Sequence, residues 1–151
     1  MAGAASRISI EIESAEVRRT LQALLAAAGD LKPAFADIGE HLLISHRERW
    51  QRHVDPEGRP WRPLSPAYKE RKKRNRDRIL VLNNYLLGTV RYQVTDAALE
   101  TGTDRVYGAT HQFGRPERNI PPRPWLGVSA EDETEILAIL TEHLKQPGME
   151  A

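Results

Sequence analysis

His53-Val-Asp-Pro-Glu-Gly-Arg-Pro-Trp-Arg-Pro-Leu-Ser-Pro66 divides the chain. Four prolines and a glycine within this stretch forbid regular structure, because each proline lacks an N–H and fixes its φ. Everything before it reads as a strand and helices. Everything after it reads as a basic helix, a hairpin, a second proline-rich loop and a closing helix.

Upstream, residues 33–52 carry Phe35, Ile38 and Leu42 on one stripe, with Leu43 and Trp50 seven apart beside it. That spacing predicts a helix, and its cationic end complements the helix dipole. Before it, Ser14 stands at a helix N-cap position. Val17, Leu21, Leu24, Leu25 and Ala28 follow at helical spacing, and Gly29 supplies the stop. Ile8, Ile10 and Ile12 alternate with polar residues and read as a half-buried strand.

Downstream, Ser65-Pro66 resembles a cap and first helical residue, opening a short basic helix over 67–76. Residues 79–87 are apolar and read as a short helix ended by Gly88. Val90, Tyr92 and Val94 alternate with polar residues, and a turn at Asp96-Ala97 leads into a second strand over 98–103. A helical piece over 106–113 ends at Gly114. A second irregular loop, 115–124, holds Pro116, Pro121, Pro122 and Pro124. Ser129 with Asp132 resembles a capping box, and Ile136, Leu137, Leu140 and Leu144 stripe a final helix.

The expected fold class is α+β: a small antiparallel sheet with a β-hairpin packed against three to four helices, with long Pro- and Trp-bearing loops. At 151 residues it reads as a single domain, 1–151, with 53–78 as a loop plus basic helix insertion. Apolar content is 40% and aromatic content 6%, so the core should be mainly aliphatic.

The absence of cysteine excludes disulfides, thiolate metal sites and a cysteine nucleophile. The net charge of +1 gives no bulk drive towards nucleic acid or membrane. No apolar run approaches the roughly 20 residues that span a bilayer, and the amino terminus has no signal-peptide pattern. A soluble chain made in the cytoplasm is expected.

Charge is unevenly placed. Lys69, Arg71, Lys72, Lys73, Arg74, Arg76 and Arg78 cluster, while residues 131–135 are acidic. A dipolar chain favours head-to-tail contacts between subunits. The basic segment reads as a solvated face or a dock for an acidic neighbour. Contact with DNA phosphates is the alternative, although no aromatic residue interleaves for base stacking.

Enzyme chemistry finds no support. His46, His53 and Asp55 match no zinc spacing and read as surface residues. His111 reads as a satisfied structural histidine. Ser45, Ser65 and Ser129 lack the glycine-flanked elbow of a nucleophile. Glu131, Asp132 and Glu133 precede a helix, where negative charge is ordinary. No catalytic residue, metal ligand or cofactor is expected. The sharper features are Trp61 and Trp125, each within two residues of a proline. Rigid loops carrying tryptophan and arginine have the composition of interface hot spots. The subunit-interface candidates are Trp61, Arg62, Leu64, Tyr107, His111, Phe113, Arg123 and Trp125.

The ordered set of motifs resembles the phage virion-morphogenesis or tail-completion family of Mu-like and related tailed phages. The carriers are the 55–72 segment, the leucine-rich 79–87 segment, and the 90–103 hairpin. To these are added Val106-Tyr-Gly-Ala-Thr-His-Gln-Phe-Gly114 and Ile120-Pro-Pro-Arg-Pro-Trp-Leu-Gly127. The resemblance covers about residues 42–144. Asn83-Asn84 stands where relatives often show threonine-glycine; asparagine also tolerates left-handed backbone angles.

The resemblance implies a structural protein at the head–tail junction, of neck or tail-terminator type, which completes the tail and joins it stably to the DNA-filled head. It implies a homo-oligomeric ring, hexamer favoured and dodecamer as the other form. Neighbouring neck and tail proteins, and DNA in the channel, are the further partners. The expected location is the virion neck after assembly in the host cytoplasm. The alternative function is a non-specific DNA-binding accessory protein using residues 69–78.

Overall fold

The computed structural model describes residues 14–80, 86–96, 98–103, 105 and 107–145. The element order is α1 (Ala15–Ala28), α2 (Lys32–Arg52), α3 (Pro66–Arg71), β1 (Arg91–Val94), β2 (Leu99–Gly102), α4 (Tyr107–Phe113) and α5 (Ala130–Lys145). Short 3-10 turns occupy Leu87–Thr89 and Pro116–Arg118. The fold is α+β, five helices with a two-stranded antiparallel hairpin.

The helix boundaries follow from their caps. The Ser14 hydroxyl accepts from the Val17 N–H at 3.3 Å, and Gly29 closes α1 at φ 70°. At α5 the capping is reciprocal: Asp132 N–H donates to Ser129 Oγ, and Ser129 N–H donates to Asp132 Oδ2, both at 2.9 Å. Ser65 caps α3. That helix ends at Arg71, shorter than the expected 67–76. Lys72 turns extended (φ −68°, ψ 121°), and its ammonium folds in to donate to the carbonyl oxygens of Asn75 and Arg78.

The hairpin pairs Arg91 with Gly102 and Val94 with Leu99. It packs on α2, as does α5, which also packs on α1. Gly39 of α2 makes room for the hairpin: a Cβ there would lie 2.5 Å from the Tyr92 ring. The Tyr92 hydroxyl then donates to Glu40 at 2.7 Å.

Two cores result. Leu24, Ala34, Phe35, Ile38, Leu42, Ile136 and Leu140 form an aliphatic core between α1, α2 and α5. Trp50, Trp61, Ile79, Leu86, Trp125 and Leu126 form a second, between the end of α2 and the proline loops. The aromatic content is therefore low but concentrated, and the core is mainly aliphatic only in its helical half. Gly88 does not end a helix; it lies inside the 3-10 turn Leu87–Thr89. The strand expected at 8–12, most of the 79–87 helix, the Asn83-Asn84 pair, Ala97 and Val106 lie outside the described residues.

Candidate assembly surface around the tryptophan core

The second core is assembled from loops, so polar pins must hold it. The first loop leaves α2 through His53, whose φ of 56° reverses the chain. Asp55 then organises the turn. Its carboxylate accepts from the N–H groups of Glu57 (2.9 Å) and Arg59 (2.8 Å). A lone β-bridge, Val54 to Pro60, closes the loop. The second loop is built alike. Arg115 and Ile120 form the bridge, and Gly114 (φ 76°) sits where a Cβ would meet the Pro122 nitrogen at 2.7 Å. Only glycine serves there.

Both loops deliver a tryptophan onto Trp50. The Trp61 ring lies 5.6 Å from it at right angles, and the Trp125 ring 5.5 Å away at 50°. Trp61 Nε1 donates to Pro124 O at 2.7 Å, tying the first loop to the second. Trp125 Nε1 donates to Gly108 O at 2.9 Å. The Gln112 side chain accepts from the N–H groups of Trp125 and Leu126 and donates to Leu126 O. Arg123 completes the clasp by donating to the carbonyls of Arg62 (2.8 Å) and Pro63 (3.1 Å).

The clasp is fixed to the helices by a buried charge network. Arg49 donates to Asp132 Oδ2 and to Gly127 O, both at 2.8 Å. His41 meets Asp132 Oδ1 at 2.8 Å. Burial pushes the Asp132 carboxyl up. Its contacts with Ser129, Ser45, Arg49 and His41 outweigh that and bring it down to about 2. His46 is held at both ring nitrogens, by Leu42 O and by the Gly127 N–H. Burial, reinforced by the Arg49 charge, lowers it to about 4, so it is neutral.

The expected interface residues thus divide. Trp61 (4% exposed), Trp125 (1%) and Arg123 (7%) are packed inside this chain. These two rings, expected as interface anchors, offer a neighbour almost no surface in this conformation. They pack on Trp50 and set the shape of the loops. Arg62 and Tyr107 are exposed, Leu64 and His111 half-buried, and Phe113 is 66% exposed. Two histidine readings change as well. His46 is a buried anchor and no surface residue, and His111 Nδ1 is buried without a hydrogen-bond partner among the described residues. The basic cluster divides too: Lys72 is buried, whereas Lys69, Arg71, Lys73, Arg74, Arg76 and Arg78 are exposed.

Between the two loops and α3 runs a groove of about 1410 Å³. It gathers Arg62, Leu64, Tyr107, His111 and Arg123 from the interface set, and Arg71 and Lys72 from the basic set. Phe113 and the remaining basic residues do not line it. Burial lowers the pKa of both Lys72 and Arg123, and their cationic neighbours add to the effect. Arg49 escaped the sequence reading, while Trp50, Gln112 and Asp132 entered it only as a helix-face residue, part of a motif and a cap. For Arg49 a signal existed, because it continues the 35–38–42 face of α2. Among the described residues no group of three or more histidines and carboxylates could hold a metal. No helix among them is long and apolar enough to cross a membrane.

Against known proteins, the family model described as the phage virion morphogenesis family matches residues 12–145. The chain belongs to that family. The match takes in every described element, so both cores and the groove fall within it. Membership supports a structural role in building a phage particle. An uncharacterized protein of Methanocaldococcus jannaschii is also similar. It is 27% identical over 96 residues, covering 60% of this chain and 71% of its own length. No solved structure matches the chain significantly.

Proposed function

We propose that this chain is a subunit of a homo-oligomeric ring at the head–tail junction. It completes the tail and promotes stable joining to the filled head. The carrying observation is the family match over 12–145, which spans the whole loop-clasped architecture. A supporting one is the shape of the second core: its tryptophans hold the proline loops rigid, so a partner can bind them with little ordering cost. Ring stoichiometry on this reading is six, with twelve as the other form. Its location is the virion neck, its partners are neighbouring neck and tail proteins, and it carries out no catalysis. The test is deletion of the gene from the phage that carries it. Filled heads and separate tails should accumulate, and supplying the protein should restore joining. Normal yields of joined particles without it would remove the proposal.

A second reading, non-specific DNA contact, has its own observation. Arg71, Lys73, Arg74 and Arg78 are exposed, and none pairs with a carboxylate among the described residues. Binding to duplex DNA that falls steeply with salt would support it. No binding at low salt would exclude it.

A further inference from the structure

The groove between the proline loops carries an unbalanced charge. Among the described residues, five cations line it (Arg62, Arg71, Lys72, Arg118 and Arg123), and no carboxylate does. Glu117 is adjacent in sequence but pairs with Arg115 at 2.9 Å and does not line the groove. Lys72 and Arg123 are 3% and 7% exposed, and among the described residues they donate to main-chain carbonyls. Buried cations are costly unless a negative charge lies near. The remaining lining is mostly prolines and aliphatic or tyrosine side chains, with Ser65, His111 and Asn119 as its neutral polar members. At about 1410 Å³ the groove exceeds the roughly 300–1,000 Å³ of small-molecule pockets, so a chain segment fits it better.

The same chain presents the complementary surface. On α5, Glu131, Thr134, Glu135 and Ala138 are exposed and share one helix face. Among the described residues, Glu131 and Glu135 have no cationic partner. Thr134 and Ala138 are small, so this face can approach a groove wall closely. We propose that the groove receives the acidic face of α5 from a second copy. Groove and helix face are different surfaces, so the contact is heterologous and repeats from copy to copy, the type that closes into rings. A nucleic acid backbone suits the groove less well: its proline and leucine lining gives phosphate nothing, and two of the five cations already hold carbonyls.

This contact rests on the ring reading above, and the experiment separates the two. Three variants are compared with the wild type by sedimentation equilibrium: Arg62→Glu with Arg118→Glu, Glu131→Arg with Glu135→Arg, and all four together. All four positions are exposed, and unchanged thermal unfolding confirms folding. Each pair alone should weaken self-association by about tenfold or more, and the fourfold exchange should return it to within about threefold of wild type. Self-association unchanged in both pairs overturns the contact and leaves the ring reading standing. An effect of the groove pair without one from the α5 pair, or no recovery in the exchange, overturns it as well. So does a groove pair that loses only duplex DNA binding. A wild type that stays monomeric at every concentration removes both contact and ring, while the deletion phage still decides the role in assembly.

Discussion

The two cores of this molecule are built on opposite principles. The aliphatic core joins three long helices through residues spaced for burial. Its position follows from Leu24 on α1, Phe35, Ile38 and Leu42 on α2, and Ile136 and Leu140 on α5. The tryptophan core joins loops, and burial alone would not fix their path. Each loop ring is held by a directed bond, Trp61 to Pro124 O and Trp125 to Gly108 O, and the Gln112 amide fixes the backbone at Trp125 and Leu126. Periodic burial suffices where regular structure already satisfies the backbone. Irregular backbone needs side-chain partners, because its N–H and C=O groups have no ladder to join.

Removing the Trp125 ring should break this contrast most severely. Trp125→Ala takes out a side chain 1% exposed together with its hydrogen bond. It should cost about 3–5 kcal/mol in urea unfolding. Loss of the 114–122 loop's protease resistance should accompany it, with α1 and α5 keeping their helicity. A smaller loss, or equal damage to both cores, would mean that the clasp is not organised by the ring.

Next comes the link between the cores. Asp132→Ala leaves the Arg49 guanidinium, 4% exposed at its side chain, without its carboxylate. About 3 kcal/mol should be lost. The double variant with Arg49→Met should recover part of that, as a double-mutant cycle would show.

His46 gives a pH-dependent counterpart of similar size. Its folded value is about 4, below the ordinary 6.5. Between those values the unfolded chain binds the proton and the folded chain does not. Stability is therefore full above pH 6.5 and falls as pH drops towards 4, by about 3 kcal/mol at most. His46→Gln should flatten unfolding free energy across that window; an unchanged slope would assign the titration to another group.

The aliphatic half should respond more mildly at its edges. Ser14→Ala removes the cap of α1 and should cost about 1 kcal/mol by thermal unfolding, without affecting loop protease resistance.

The same contrast explains what was readable. Ser14, Ser65 and Ser129 marked helix starts because a capping hydroxyl bonds within its own turn. The hairpin and the stripes of α2 and α5 were readable because burial repeats with the element's period. Trp61 and Trp125 were singled out by composition, yet nothing local indicated that both rings would turn inward onto Trp50. That meeting joins residues 11 and 75 positions from Trp50 in sequence, and its partners are carbonyls that every residue possesses. The groove was hidden for the same reason. Arg62, Lys72 and Arg118 become neighbours only after the two loops are clasped. The early end of α3 was unreadable for a different reason: Lys72 turns inward to donate to the carbonyls of Asn75 and Arg78, which no periodicity marks.

The most direct measurement is imaging of the particle neck, with and without this chain. The account predicts a closed ring of its copies between head and tail, with the proline loops at contacts between subunits, and loss of that density together with loss of joining in the deletion. A neck of unchanged structure in joined particles that lack the protein would contradict it.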